Sequence, residues 1–328
     1  MSGDEFDIIG KYFAPLAGEG ARGLIDDVAT LGHYVLTTDA IVEGVHFLPD
    51  DPIDTIAKKA LRVNLSDLAA KGAKPVGALL SLVWPDARPA AQIADFARGL
   101  GEDLQHYGLT LLGGDTSATP GPLTISITAI GEALGARTPS RADARLGEQV
   151  WVTGRIGDAY LGLRSLTDAP AVLGASAADQ FDAHAAHVRA RYRLPEPPVA
   201  FAPEIARFAS ASMDISDGLS ADAAKLAAAS GVGLRLYAEA IPLSSAGHAF
   251  VAHGGPRALA ELCAGGDDYQ ALFTAAPEHR YAILQAGQRL GIEVALIGDV
   301  VEPAGVQITT PAGEALPLVV GHRHKLGS

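Results

Sequence analysis

Apolar residues along this chain alternate between a helical period near 3.6 and a strand period of 2, and the changes of period mark its elements. Residues 4–16 read as a helix, with Phe6, Ile8, Ile9, Phe13 and Leu16 near one face and Asp4 placed to cap it. A strand is expected over 34–38. A helix follows over 54–71, with Ile56, Ala60, Val63, Leu65 and Leu68 on its apolar side. A buried strand over 76–83, a long helix over 89–107, a strand over 109–112 ending at Gly113-Gly114-Asp115, and an alternating strand over 123–133 complete the first half. The apolar pattern then stops between Gly135 and Gly147. This polar, arginine-rich stretch divides the chain into an N-terminal domain (1–136), a linker (137–147) and a C-terminal domain (148–328). Beyond it, strands are expected over 149–153, 213–215, 232–236, 269–274 and 293–300. Helices are expected over 156–166, 177–192, 219–230, 256–263 and 278–290, and a rigid Pro195-Glu196-Pro197-Pro198 turn precedes another that runs to Ala209. The sum is an α/β (α+β) protein of two domains, with helices segregated from mixed sheets.

The bulk properties narrow the function. With 25 Lys and Arg against 38 Asp and Glu the net charge is −13, a poor match to a non-specific nucleic-acid binder or an anionic membrane surface. A single cysteine, Cys263, excludes an intrachain disulfide and a cysteine zinc site and fits a reducing, cytoplasmic setting. The N-terminus lacks the basic and apolar regions of a secretory signal, and no uncharged apolar run is long enough for a transmembrane helix.

Gly18-x-Gly20-x-x-Gly23 matches the dinucleotide fingerprint by letters, but a helix rather than a strand precedes it and no clean helix follows. It reads as a mobile loop near a phosphate. The chain has no Walker A sequence, protein-kinase signature, Gly-x-Ser-x-Gly elbow or His-Glu-x-x-His motif.

What stands out is a set of aspartates beside small or hydroxyl residues at element ends: Asp26-Asp27, Thr37-Thr38-Asp39, Asn64-Leu65-Ser66-Asp67, Gly113-Gly114-Asp115-Thr116, Asp214-Ile215-Ser216-Asp217-Gly218 and Gly265-Gly266-Asp267-Asp268. Any one of them is compatible with a turn, a cap or an exposed acid. Together they suggest a site for a hard cation, magnesium carrying phosphate. Gly113-Gly114 would let the backbone approach a ligand, and Ser216 and Asp217 would sit near a helix N-terminus suited to anions.

These segments, with Val45-His46-Phe47, the run from Lys59 to Ala73 and Arg141, resemble the thiamine-monophosphate kinase family almost end to end. That family belongs to an ATP-binding superfamily shared with aminoimidazole ribonucleotide synthetase, selenophosphate synthetase and a hydrogenase-maturation protein. The resemblance implies a homodimer whose N-terminal mixed sheets form a barrel-like core, a C-terminal α+β layer, and ATP-dependent conversion of thiamine monophosphate to thiamine diphosphate. It implies several magnesium ions held by Asp27, Asp39, Asp67, Asp115, Asp214 and Asp217, with Thr38 at the metal cluster. It places Asp27, Thr37, Tyr107, Gly114, Asp115, Arg141 and Ser216 at the nucleotide, and His46, Asp267 and His322 at the thiamine moiety. Three departures from the family pattern are Ile25 in place of a glycine, Asp267 in place of a glutamate, and His322 in place of an aromatic residue. No general base is expected, because an acceptor phosphate with a second pKa near ~6 is mostly dianionic at neutral pH. A sister ATP-dependent enzyme acting on a purine precursor and a non-catalytic nucleotide-binding regulator are the alternatives.

Overall fold

The computed structural model describes residues 5–168 and 175–316, with side chains described over 7–168 and 184–316. A short helix α1 (Glu5–Ile8) runs on as a π-turn (Ile9–Phe13) and a 3₁₀ turn (Ala14–Leu16). The expected apolar face of this segment enters no core: Phe13 is 53% exposed and Leu16 80%.

The first sheet comprises β1 (Ala29–Leu31), β2 (Tyr34–Val42), β3 (Ala73–Pro85), β4 (Thr110–Thr119) and β5 (Thr124–Ala133), in the order β1-β2-β5-β3-β4. Helix α2 (Ile53–Ala70) packs on one face of it, and α3 (Gln92–Tyr107) packs on α2 and supplies the crossover that the parallel β3–β4 pair requires. Ile41, Ile125, Ile127 and Ala129 point into this core; Thr38, Ala40, Leu79 and Ser81 on the other face are exposed.

The second sheet has β6 (Gln149–Thr153), β7 (Ser212–Ile215), β8 (Gly233–Tyr237), β9 (Gln270–Ala275), β10 (Val294–Val301) and β11 (Gly305–Thr309), in the order β11-β8-β10-β6-β9-β7. Around it lie α4 (Asp158–Thr167), α5 (Ala175–Arg193), α6 (Ala202–Phe208), α7 (Leu219–Ser230), α8 (Ser245–Ala264) and α9 (Arg280–Leu290).

Four elements differ from the sequence expectation. Helix α8 starts well before residue 256, where the Ser244 hydroxyl accepts from the Gly247 N–H (3.1 Å); Gly255, at φ +64°, and Pro256 interrupt the run, so only its second half carries a helical pattern. Strand β4 continues through Gly113-Gly114-Asp115 rather than ending there, because its pairing with β3 runs from Thr110 to Thr119. Strand β1 is three residues long, too short for periodicity to announce, and the five-residue β11 lies beyond the last expected strand.

Helix α2 joins the two halves. It packs against β2 and β5 on one side and β7 and β9 on the other, and every residue from Val63 to Ala70 is buried. Gly72 ends it in the left-handed region (φ +62°), and a Cβ there would lie 2.7 Å from the Ala206 backbone nitrogen on α6. Gly72→Ala therefore combines backbone strain with a backbone collision. It should lower the unfolding free energy by about 2 kcal/mol or more; an unchanged urea midpoint would contradict this packing.

Candidate functional site

Helix α2 brings together three carboxylates that are distant in the chain. Asp67, one turn from its C-terminus, Asp214 on β7, and Asp27 in the loop leading to β1 offer oxygens within 4.8 Å of one another. The side chains around them hold the acids in place. Thr37 Oγ1 hydrogen-bonds Asp67 Oδ2 (2.6 Å) and lies 3.2 Å from the Asp27 carbonyl oxygen. Ser66 Oγ donates to Asp214 Oδ2 (2.5 Å). The Asp39 backbone N–H donates to Asn64 Oδ1 (3.0 Å), which directs its carboxylate to the cleft.

Positive charge is distributed unevenly over the cluster. Asp27 is paired with Arg141 and with Lys71, whose Nζ lies 2.7 Å from Asp27 Oδ2 and 2.5 Å from Asp26 Oδ1 and also donates to the Ser212 carbonyl. Burial alone would raise the Asp26 carboxyl, but Lys71 and Arg22 outweigh it and hold it below the ordinary value. Asp67 and Asp214 form no ion pair among the described residues. Burial, reinforced by Asp214 and Asp39, pushes the Asp67 carboxyl well above its usual range. Burial also raises Asp214 to about 7, against the Ser66 hydrogen bond and with help from Asp222 and Asp39, and raises Asp39 to about 6. Asp27 Oδ2 is buried without an aligned hydrogen bond. Hard oxygen donors and adjacent acids without ion-pair partners fit a divalent cation of the magnesium or calcium kind.

The cluster lies in a cleft of about 600 Å³. Ser216, Asp217 and Lys225 form one wall: Asp222 Oδ2 accepts the N–H groups of Ser216 and Asp217 (both 3.0 Å), and Lys225 bridges Asp217 (2.5 Å) and Asp222 (2.7 Å). His46 and Asp267 also line the cleft, Asp267 next to Ser216, whose carbonyl accepts its N–H (2.8 Å).

Four expected site residues lie elsewhere. Thr38 borders the cleft, but its hydroxyl is on the other face of β2, bonded to Thr128 (3.1 Å). Tyr107 lines a second cavity of about 740 Å³, which adjoins the first at Asp267. Gly114 and Asp115 are on the far edge strand; Asp115 is aligned with Ser81, Ser126 and Ala40, three strand spacings (about 14 Å) from β2. The contact with β3 requires a glycine at 114, since a Cβ would fall 1.8 Å from the Leu80 carbonyl oxygen. His322 lies outside the described residues.

Sequence reasoning passed over Lys71, Lys225 and Asp222. Their helical spacing is that of ordinary solvated charge, although the three-residue interval between Asp222 and Lys225 was a weak signal of a pair.

Residues 24–133 match the N-terminal domain, and residues 149–310 the C-terminal domain, of AIR synthase related proteins. The thiamine-monophosphate kinase of Caulobacter vibrioides is 39% identical over 98% of this chain and 90% of its own length, and that of Salmonella typhimurium 36% identical over 91% and 90%. The chain belongs to the thiamine-monophosphate kinase family. Among solved structures it is similar to "AaThiL complexed with AMPPCP and TMP", at 30% identity with a TM-score of 0.81 over 98% of this chain and 97% of that one. The structural likeness extends across the whole chain rather than one domain.

The raised carboxyls make metal-free stability depend on pH. An unfolded aspartate titrates near 3.8 and folded Asp214 near 7. Between these values the fold retains a proton that the unfolded chain has released. The stabilisation is complete below about pH 4 and is lost as pH rises through 7, a swing on the order of a few kcal/mol. In chelator, the denaturant midpoint should fall from pH 5 to pH 8, and millimolar magnesium should raise it far more at pH 8 than at pH 5. Equal magnesium effects at the two values would count against a cation at these acids.

Proposed function

We propose that this protein transfers the γ-phosphoryl group of ATP to the phosphate of thiamine monophosphate, giving ADP and thiamine diphosphate, with magnesium held by Asp27, Asp39, Asp67 and Asp214. The observation that carries this reading is the buried Asp27–Asp67–Asp214 cluster in a chain whose curated relatives are thiamine-monophosphate kinases. Bound magnesium would supply positive charge to offset that of the two phosphate groups.

The chain's own groups supply position and further charge. Arg141, Lys225 and Ser216 all line the cleft, and we assign them to the donor phosphates. The acceptor phosphate is a dianion near neutral pH, so no side chain has to remove a proton from it. Catalysis then consists mainly of alignment and electrostatic stabilisation in a partly enclosed site. His46 and Asp267, which also line the cleft, are assigned to the acceptor. We place the reaction in the cytoplasm, in keeping with the single unpaired Cys263.

The same reading includes a homodimer that completes the site. Past Leu36, β2 has no partner on its β1 side, and β4 has none beyond β3, among the described residues. Every residue of β4 from Thr110 to Ala118 is exposed, and the sheet face opposite α2 carries Leu79. Pairing β4 of one copy with the free part of β2 in another would close the two sheets into a barrel and remove both edges. It would bring the partner's Gly114 and Asp115 beside Thr38 and Asp39. The domain division at 137–147 fits this arrangement, with the N-terminal half as the dimer core.

Purified protein incubated with ATP, magnesium and thiamine monophosphate should form thiamine diphosphate and ADP in equal amounts. Measurable ATP binding without thiamine diphosphate would refute the acceptor assignment. Asp67→Asn and Asp115→Asn should each lower turnover by about a hundredfold or more. Mixed after mild dissociation, the two inactive variants should regain activity, because heterodimers contain one site with both aspartates intact. A mixture as inactive as its components, with mixed dimers present, would refute the shared site.

A further inference from the structure

Lys59 is a charged residue in the interior whose role goes beyond the cluster just described. It projects from the middle of α2 and is 1% exposed, yet it is not paired with any of the metal-binding acids. Its ammonium group has three hydrogens, and three partners surround it. Nζ donates to Asp267 Oδ2 (2.8 Å) and to the His46 carbonyl oxygen (2.9 Å), and it lies 4.1 Å from the centre of the Tyr192 ring. These partners come from three separate segments: the 265–268 loop, the turn after β2, and the end of α5. One fixed cation thus ties together two residues, His46 and Asp267, that line the cleft.

Asp267 needs such a tie. It adopts φ +72°, a left-handed conformation that costs a non-glycine residue free energy, and its neighbour Tyr269 does so too at +51°. Its backbone N–H donates to the Ser216 carbonyl (2.8 Å), and the Tyr269 hydroxyl donates to its other carboxylate oxygen (3.1 Å). The carboxylate is therefore gripped on both oxygens while its side chain remains a quarter exposed toward the cleft. A freely rotating aspartate could not hold one orientation on a strained loop. His46 is fixed at both backbone and ring, by Lys59 at its carbonyl and by the Val42 N–H, which donates to its Nδ1 (3.0 Å).

We propose that Lys59 is the positioning residue of the acceptor half of the site: it sets the orientation of Asp267 and His46 toward thiamine monophosphate without touching the metal cluster. This inference rests on the assignment of His46 and Asp267 to the acceptor given above. A lysine suits the task because its compact ammonium presents three divergent donors, whereas a planar guanidinium would need a wider space than this buried position provides.

The test compares Lys59→Met, Asp267→Asn and the double variant by steady-state kinetics, with each substrate varied in turn, and by calorimetric titration of the ATP analogue AMPPCP with magnesium. Lys59→Met should raise the KM for thiamine monophosphate at least tenfold, while the KM for ATP and the affinity for AMPPCP stay within twofold of wild type. Asp267→Asn should raise the acceptor KM similarly, and the double variant should be no worse than the poorer single one, since both changes disable one unit. If Lys59→Met leaves the Asp267 carboxylate without its ammonium partner and does not fold, Lys59→Gln, which keeps a neutral donor, carries the measurement. An acceptor KM unchanged by Lys59→Met or Lys59→Gln while Asp267→Asn raises it would overturn the role of Lys59 alone. No change with Asp267→Asn would overturn the acceptor assignment beneath it. Equal loss of affinity for both substrates would show a purely structural lysine.

Discussion

Burying carboxylates beside one another is the constraint on which the rest of this structure depends. Asp67 and Asp214 lie in the interior with only hydroxyl partners, Asp27 joins them, and Asp214 and Asp39 add to burial in raising the affinity of Asp67 for its proton. A fold optimised only for stability would put apolar residues at these positions. Retaining the acids requires a scaffold rigid enough to oppose their repulsion, and α2 is that scaffold. It is packed between two sheets, and its polar side chains are each engaged: Asn64 with the Asp39 backbone, Ser66 with Asp214, Asp67 with Thr37, and Lys59 with Asp267.

The helix also explains why the site sits between the halves of the chain. Asp67 faces Thr37 on the first sheet while the adjacent Ser66 faces Asp214 on the second. Neighbouring helical positions point about 100° apart, so two consecutive residues can serve two different sheets. Lys71, just beyond the helix, does the same with Asp26 and Asp27 on one side and the Ser212 carbonyl on the other. The metal-binding acids, through Asp67, and the acceptor residues, through Lys59, are thus both referenced to one rigid element, about two turns apart along it. A positional error at either end would be transmitted through α2 rather than absorbed by a flexible joint.

Much of this was legible beforehand. The long amphipathic segments were visible because tertiary packing agrees with their periodicity, as at α7 and α2. The aspartates of the cluster were visible because each stands among small or hydroxyl residues, a composition with few other uses at so many element ends. The Gly18-x-Gly20-x-x-Gly23 loop was set aside on its flanking elements, and it does form turns rather than a strand–helix junction. Other features were hidden for definite reasons. Thr37 and Thr38 are chemically alike, and only the sheet decides that Thr37 meets the cluster while Thr38 bonds Thr128. Asp67 in isolation could equally have been a surface acid. Gly114 has the same letters whether or not a neighbouring strand requires it, and here the Leu80 carbonyl occupies the space a Cβ would take.

The sequence by itself determined the classes of element, the family, and the inventory of oxygen ligands, because these follow from local periodicity and from residue chemistry. Only the tertiary structure decided which acids meet and which cations answer them. Lys59, Lys71 and Lys225 look like solvated helix charges until long-range packing encloses them with their partners. Asp115 looks equivalent to Asp67 until strand order sets it three strands away. Contacts between residues far apart in sequence depend on sheet register and on helix burial, and neither quantity is encoded in any short window of the chain.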